Sequence, residues 1–153
     1  MTVQVQSYHV PVLLKESVDA LDIKSNGVYA DATYGGGGHS REILSRLGEN
    51  GKLFAFDKDA DAIDNFNAQG NAKSPSFRLI HNNFRFIKNF LCYNGQSLAD
   101  GILADLGVSS HQFDIGERGF SFRYDAPLDM RMNRLSGKNA ASVVNERSQE
   151  ELE

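Results

Sequence analysis

Four consecutive glycines, Gly35 to Gly38, stand between a short β-prone segment and an amphipathic stripe, a position where the backbone must turn tightly and can approach a ligand closely. The segment before them is Gly27-Val-Tyr-Ala-Asp31-Ala-Thr33, and the stripe after them is Ile43, Leu44 and Leu47, closed at Gly48. This reads as strand, loop, helix, and the pattern repeats. Lys52-Leu-Phe-Ala-Phe-Asp57 predicts a second strand, with Ala60, Ala62, Ile63 and Phe66 as the next helical face. Phe77-Arg-Leu-Ile-His81 predicts a third strand, followed by a helix carrying Phe84, Ile87, Phe90 and Leu91, and Asp100-Gly-Ile-Leu-Ala-Asp105 a fourth. Ahead of them all, Val10, Leu13, Leu14, Val18 and Leu21 predict a helix over 9–21, with Pro11 near its start. The expected fold is α/β, an incomplete parallel sheet of four strands with right-handed crossovers, half of a doubly wound sheet. A nucleotide-like ligand is expected at the carboxyl ends of its strands.

The expected division is a first part, 1–108, and a second, 109–153. The second holds loops dense in aromatic and charged residues through Asn133, then a helical stretch from Ala140 to Asn145. Ser148-Gln-Glu-Glu151 has the form of a capping box, yet only two residues follow. The chain therefore reads as a fragment, with a frayed polar tail as the alternative.

Composition narrows the function classes. The chain has 153 residues, 41% of them hydrophobic, and no apolar run approaches the roughly 20 residues needed to cross a bilayer. Nothing at the start reads as a signal peptide, so no membrane partner and a cytoplasmic location are expected. Cys92, the single cysteine, cannot form an internal disulfide and reads as a small buried hydrophobe. His9, His39, His81 and His111 are too dispersed for a zinc spacing, so no metal is expected. A net charge of −4 does not draw polyanions globally, and any RNA contact must be local.

The loop Asp31-Ala-Thr-Tyr-Gly35-Gly36-Gly37-Gly38-His39-Ser40 is the strongest site signal. A dinucleotide fingerprint needs glycine or alanine where Ser40 stands, and a carboxylate at Asp31 would repel a pyrophosphate. A ligand with a sulfonium and an amino group but no phosphate, S-adenosylmethionine, suits the loop better. Asp57 lies 22 positions after Gly35, near the roughly 20-residue offset of a ribose-binding acid; a helix cap is the alternative. Lys58 and Asp59 are expected to be solvated. Phe84 lies where an adenine ring could pack, or serves as helix core. Asp105 leaves the fourth strand toward the substrate side, where it could accept a hydrogen bond from an exocyclic amine, or simply form a turn. Methyl transfer from a sulfonium is an in-line displacement that needs little beyond such placement. Glu117-Arg118-Gly-Phe120-Ser-Phe122-Arg123-Tyr124-Asp125 interleaves aromatics and arginines that could stack bases and contact phosphate, or pack and pair internally.

Taken together, Tyr8-His-Val-Pro-Val-Leu-Leu14, Gly35-Gly-Gly-Gly-His-Ser40, Asp105-Leu-Gly-Val-Ser-Ser110, Glu117-Arg-Gly-Phe-Ser-Phe122 and Pro127-Leu-Asp-Met-Arg-Met132 resemble the bacterial 16S ribosomal RNA cytosine-N4 methyltransferase family over nearly the whole chain. The resemblance implies a Rossmann-like, S-adenosylmethionine-dependent methyltransferase domain acting on a decoding-region cytidine of the small ribosomal subunit. It implies cofactor contacts at Gly37, Gly38, His39, Asp57, Phe84, Asp105 and Gln112, with His39 and Gln112 coming from the resemblance alone. Family members are about twice as long, so this chain is expected to stop inside a helical insertion. The fourth strand would then be an open sheet edge, and the chain is expected to form a homo-oligomer through that edge or to borrow its edge from a partner.

Overall fold

A computed structural model describes residues 11–70 and 74–153. The described residues form two compact units, the first ending at Leu106 and the second covering Gly107–Glu153.

The first unit contains β1 (Val28–Asp31), β2 (Lys52–Asp57), β3 (Phe77–His81) and β4 (Gly101–Leu103), with helices α1 (Leu14–Ala20), α2 (Gly38–Arg46), α3 (Ala60–Ala68) and α4 (Ile87–Tyr93). The sheet is parallel throughout and ordered β3-β2-β1-β4. This is the order that opens a doubly wound Rossmann-like sheet. Its pairing aligns Asp31 with Ala55 and Leu103, so β1 and β4 end together, and Asp57 with His81, so β2 and β3 end together two residues further on.

Alternation along the strands divides the core between the two faces. Tyr29, Leu53 and Leu103 pack with Val18 of α1 and Ile43 of α2. Ala55 packs with Ala62 of α3 and with Tyr34, beside Phe66 and Phe77. On the opposite face Phe54, Phe56 and Ile80 meet Leu91 of α4. Side chains of the central strands are thus covered on both faces, which is why they read as continuous apolar runs. At the edge, Ile102 of β4 remains 54% exposed.

Several expectations need correction. The helix expected over 9–21 is formed only from Leu14 to Ala20; His9 and Val10 lie outside the described residues. Leu13 adopts φ 56°, which stops the helix from extending toward Pro11, and it is exposed. Pro11 instead lies beside the start of α2, where a Cβ on Gly38 would come within 2.5 Å of the ring. The fourth strand covers three residues, because beyond Leu103 the chain leaves the ladder with β1. Cys92 is exposed on α4, since Leu91 takes the core-facing position. Asp59, expected in solvent, is buried: it is the N-cap of α3 and accepts from the Asp61 N–H. Capping therefore falls to Asp59 and leaves Asp57 for another role.

In the second unit the loop expected after Gly107 contains α5 (Ser110–Asp114) and a 3-10 turn, Gly116–Arg118. The signal for α5 is a capping box at Ser109-Ser-His-Gln112: Gln112 N–H donates to the Ser109 hydroxyl at 3.2 Å, and Ser109 N–H to Gln112 Oε1 at 3.0 Å. Helices α6 (Ala140–Glu146) and α7 (Gln149–Leu152) follow. The second is capped by Ser148, whose N–H donates to Glu151 at 3.1 Å. The unit closes around Arg118, 1% exposed, whose guanidinium donates to the carbonyls of Arg131 at 3.1 Å and Met132 at 3.4 Å. Gly119 (φ +72°) permits this closure, because a Cβ there would lie 2.5 Å from the Pro127 carbonyl oxygen. Ala140 and Ala141 N–H donate to the carbonyls of Asp129 and Leu128, tying α6 to the same segment.

Candidate functional site

The chain between β1 and α2 is held from three sides. Ala32 N–H donates to the Leu103 carbonyl and Tyr34 N–H to the Phe56 carbonyl, so the loop passes from the β4 side to the β2 side within two residues. Gly35 N–H then donates to Asp57 Oδ2 at 2.8 Å. The loop and the acid 22 residues away are therefore one construction at the carboxyl ends of β1 and β2. Asp57 Oδ1 accepts from Asp59 N–H at 2.9 Å, and further lone pairs remain on both oxygens. Burial raises the Asp57 pKa above its ordinary 3.8, against the lowering effect of the backbone N–H groups.

Asp31 takes a different part from the one expected. Its carboxylate is wholly buried, with Oδ2 accepting from the Ser40 hydroxyl at 2.6 Å and Oδ1 from Thr33 N–H at 3.0 Å. It clamps the end of β1 to the first turn of α2 and does not face a ligand. Desolvation raises its pKa, and because both oxygens are engaged by Ser40 and Thr33, Asp31 no longer carries the case against a dinucleotide. Ser40, 1% exposed and bonded to Asp31, still occupies the position where the dinucleotide fingerprint needs a small apolar residue.

The remaining expected residues are distributed as follows. Gly37 is the N-cap of α2 at φ 75°, where a Cβ would strike the Tyr34 ring at 2.6–2.8 Å. Gly38 opens the helix against Pro11, so packing explains both glycines. His39 is 5% exposed, and its Nε2 is buried without a hydrogen-bond partner among the described residues. Buried polar atoms are seldom left in that state, which marks Nε2 as a group open to a ligand. Phe84 follows β3 at the start of a 3-10 turn, 39% exposed. Asp105 is exposed two residues beyond β4, and its N–H donates to the Thr33 hydroxyl at 2.8 Å. Gly37, Gly38, His39, Asp57, Phe84 and Asp105 all belong to the first unit, at or just beyond the carboxyl ends of the strands. Gln112 belongs to the second unit, where it is buried in the capping box of α5.

A cavity of about 340 Å³ lies beside α2 and α3, where Tyr34 and Ser40 of the same loop line it together with Arg41, Leu44, Phe66 and Phe77. In the second unit the arginine and aromatic strip is divided: Arg118 is buried on backbone carbonyls and unavailable to phosphate, whereas Phe122 is fully exposed beside Arg123. Arg131 pairs with Asp129 at 2.7 Å and holds its carboxyl down at about 2. Sequence reasoning overlooked Thr33, although a β-branched hydroxyl where a strand runs out is a candidate for bridging to its neighbour.

A model of the MraW methylase family matches residues 6–153. The chain belongs to the MraW methylase family. Among curated MraW relatives, ribosomal RNA small subunit methyltransferase H of Flavobacterium johnsoniae is 60% identical over 145 residues, 95% of this chain and 46% of that protein. The Bacteroides fragilis protein of the same name is 58% identical over 146 residues, again 95% of this chain and 46% of the relative. The chain thus spans about half the length of the curated relatives it matches. A solved rRNA methylase from Streptococcus thermophilus is similar at a TM-score of 0.39 and 20% identity, over 54% of this chain and 49% of that one; the Rossmann-like assignment rests on strand order instead.

Proposed function

We propose that this chain carries the cofactor half of an S-adenosylmethionine-dependent methyltransferase whose target is the N4 amine of a cytidine in the decoding region of 16S ribosomal RNA. The single observation that supports this most is the Gly35–Asp57 hydrogen bond within a chain of the MraW family, since it joins the glycine loop to an acid suited to ribose hydroxyls. The residues present fit S-adenosylmethionine. Asp57 retains acceptor capacity for the ribose, Phe84 offers an exposed ring to adenine, and the unpartnered Nε2 of His39 supplies a polar contact beside Gly37 and Gly38. When bound, the cofactor supplies an electrophilic methyl group on sulfur.

Asp105 is proposed in two capacities, as a cofactor contact and as acceptor of a hydrogen bond from the cytosine amine, orienting the nitrogen lone pair for in-line attack. Gln112 is proposed as a further contact from the second unit, acting beside its capping role. The relatives' names, ribosomal RNA small subunit methyltransferase H, support a small-subunit RNA partner, and such a partner implies a cytoplasmic protein. No helix among the described residues is long and apolar enough to cross a membrane, and no cluster among them could hold a metal ion. The second part, 109–153, is proposed as substrate-side loops and the start of a helical insertion. Self-association through the β4 edge belongs to the same proposal; a monodisperse monomer in light scattering overturns that part.

The test is nucleoside analysis of small subunits incubated with labelled S-adenosylmethionine and this chain, or this chain completed by the carboxyl-terminal half of the Flavobacterium johnsoniae relative. N4-methylcytidine in 16S RNA from the completed protein supports the reading. Label on another base, or on protein alone, overturns it. If the chain without that half binds cofactor but transfers nothing, it is a binding module only.

A further inference from the structure

We propose that Thr33 is a positioning residue that sets Asp105 against the glycine loop. The inference rests on the reading of Asp105 as a group that meets cofactor and amine. The last backbone bond from β1 to the β4 side is Ala32 N–H to the Leu103 carbonyl, and one bond later Tyr34 has already turned to Phe56 on β2. Thr33 lies where the strands part, and its hydroxyl reaches back across the gap to accept from Asp105 N–H at 2.8 Å, across 72 residues of sequence.

Ala104, Asp105 and Leu106 are all exposed, so packing does little to fix their backbone. The Thr33 hydroxyl supplies the fixed point. Thr33 is itself held, because its N–H donates to Asp31 Oδ1 and Asp31 Oδ2 accepts from Ser40. A chain of hydrogen bonds thus runs from Ser40 in the first turn of α2, through the buried Asp31 carboxylate and Thr33, to the exit of β4. The threonine hydroxyl is the final member of this route to Asp105. Valine keeps the shape of threonine but removes the acceptor, whereas serine keeps the acceptor and removes only a methyl group.

The experiment uses the 153-residue chain, labelled with nitrogen-15, as wild type, Thr33→Val and Thr33→Ser. Amide exchange is read at Asp105 and Gly35, and S-adenosylmethionine affinity by calorimetry. Thr33→Val is expected to speed exchange at Asp105 while leaving Gly35, held by Asp57, unchanged. It is expected to weaken binding about two- to tenfold, as for loss of one neutral hydrogen bond, and Thr33→Ser should restore both. Equal affinity in wild type and Thr33→Val overturns the inference and leaves the cofactor reading standing. Loss of protection at Gly35 as well means general loosening and also overturns it. A folded wild type that binds no S-adenosylmethionine overturns the reading and the inference with it.

Discussion

Replacing Ser40 by alanine isolates the clamp beneath the glycine loop. The substitution deletes one hydroxyl and leaves the Asp31 carboxylate wholly buried with the Thr33 N–H still donating to it. A hydrogen bond to a charged group contributes roughly 1.5–3 kcal/mol, and the bond lost here is short, at 2.6 Å, and buried. Alanine is the better helix former, but the gain at a first-turn position is only a few tenths of a kcal/mol, so a net loss of about 1.5–2.5 kcal/mol is expected at neutral pH. The effect must depend on pH. Burial raises the Asp31 pKa above 3.8, so the group's contribution to stability is fully present below 3.8 and is lost as pH rises through the folded value. Without Ser40 the folded pKa rises further, because that hydroxyl is the largest influence lowering it. The gap between variant and wild type should therefore narrow as pH falls and Asp31 takes up its proton. Urea unfolding followed by circular dichroism at several pH values measures this directly. A loss below about 0.5 kcal/mol at neutral pH, or a loss that does not change with pH, would refute the clamp.

Asp57→Ala should weaken S-adenosylmethionine binding by roughly 1.5–3 kcal/mol, read by calorimetry, because the ribose loses a charged acceptor. In the wild type, affinity should fall as pH drops through the Asp57 pKa, at a value above the ordinary 3.8, since only the ionised form accepts freely; affinity that weakens only below 3.8 contradicts the burial argument. Gly37→Ala should cost at least about 1–2 kcal/mol in unfolding experiments, given φ 75° and the Tyr34 ring in the path of a Cβ. Arg118→Met should selectively loosen the second unit, increasing amide exchange at Met130, whose N–H donates to the Arg118 carbonyl, while β2 amides stay protected.

Regular elements were legible where burial and periodicity agree. β2 and β3 fall on the expected residues: β2 is buried and apolar in succession, whereas the edge strand β3 was marked by Phe77, Leu79 and Ile80 although Arg78 between them is exposed. The start of α1 was hidden, since Val10 and Leu13 continue the apolar spacing although Leu13 takes a left-handed backbone conformation and faces solvent. Asp57 and the glycine loop were paired correctly by spacing, but sequence could not tell which nearby acid is sealed, which caps a helix and which remains able to accept. Asp31, Asp59 and Asp57 divide these three roles through contacts with Ser40, Asp61 and Gly35 that no local pattern displays. Thr33 was missed, and the two readings of Arg118 stayed open, for the same reason, as their partners lie 72 and 13 residues away.

Calorimetric titration of the purified chain with S-adenosylmethionine, with NAD as control ligand and Asp57→Ala as control protein, tests the central claim most directly. The account predicts selective binding of S-adenosylmethionine that is lost or strongly weakened in the variant. Binding of NAD with equal affinity, or no binding of S-adenosylmethionine by a demonstrably folded chain, would contradict it.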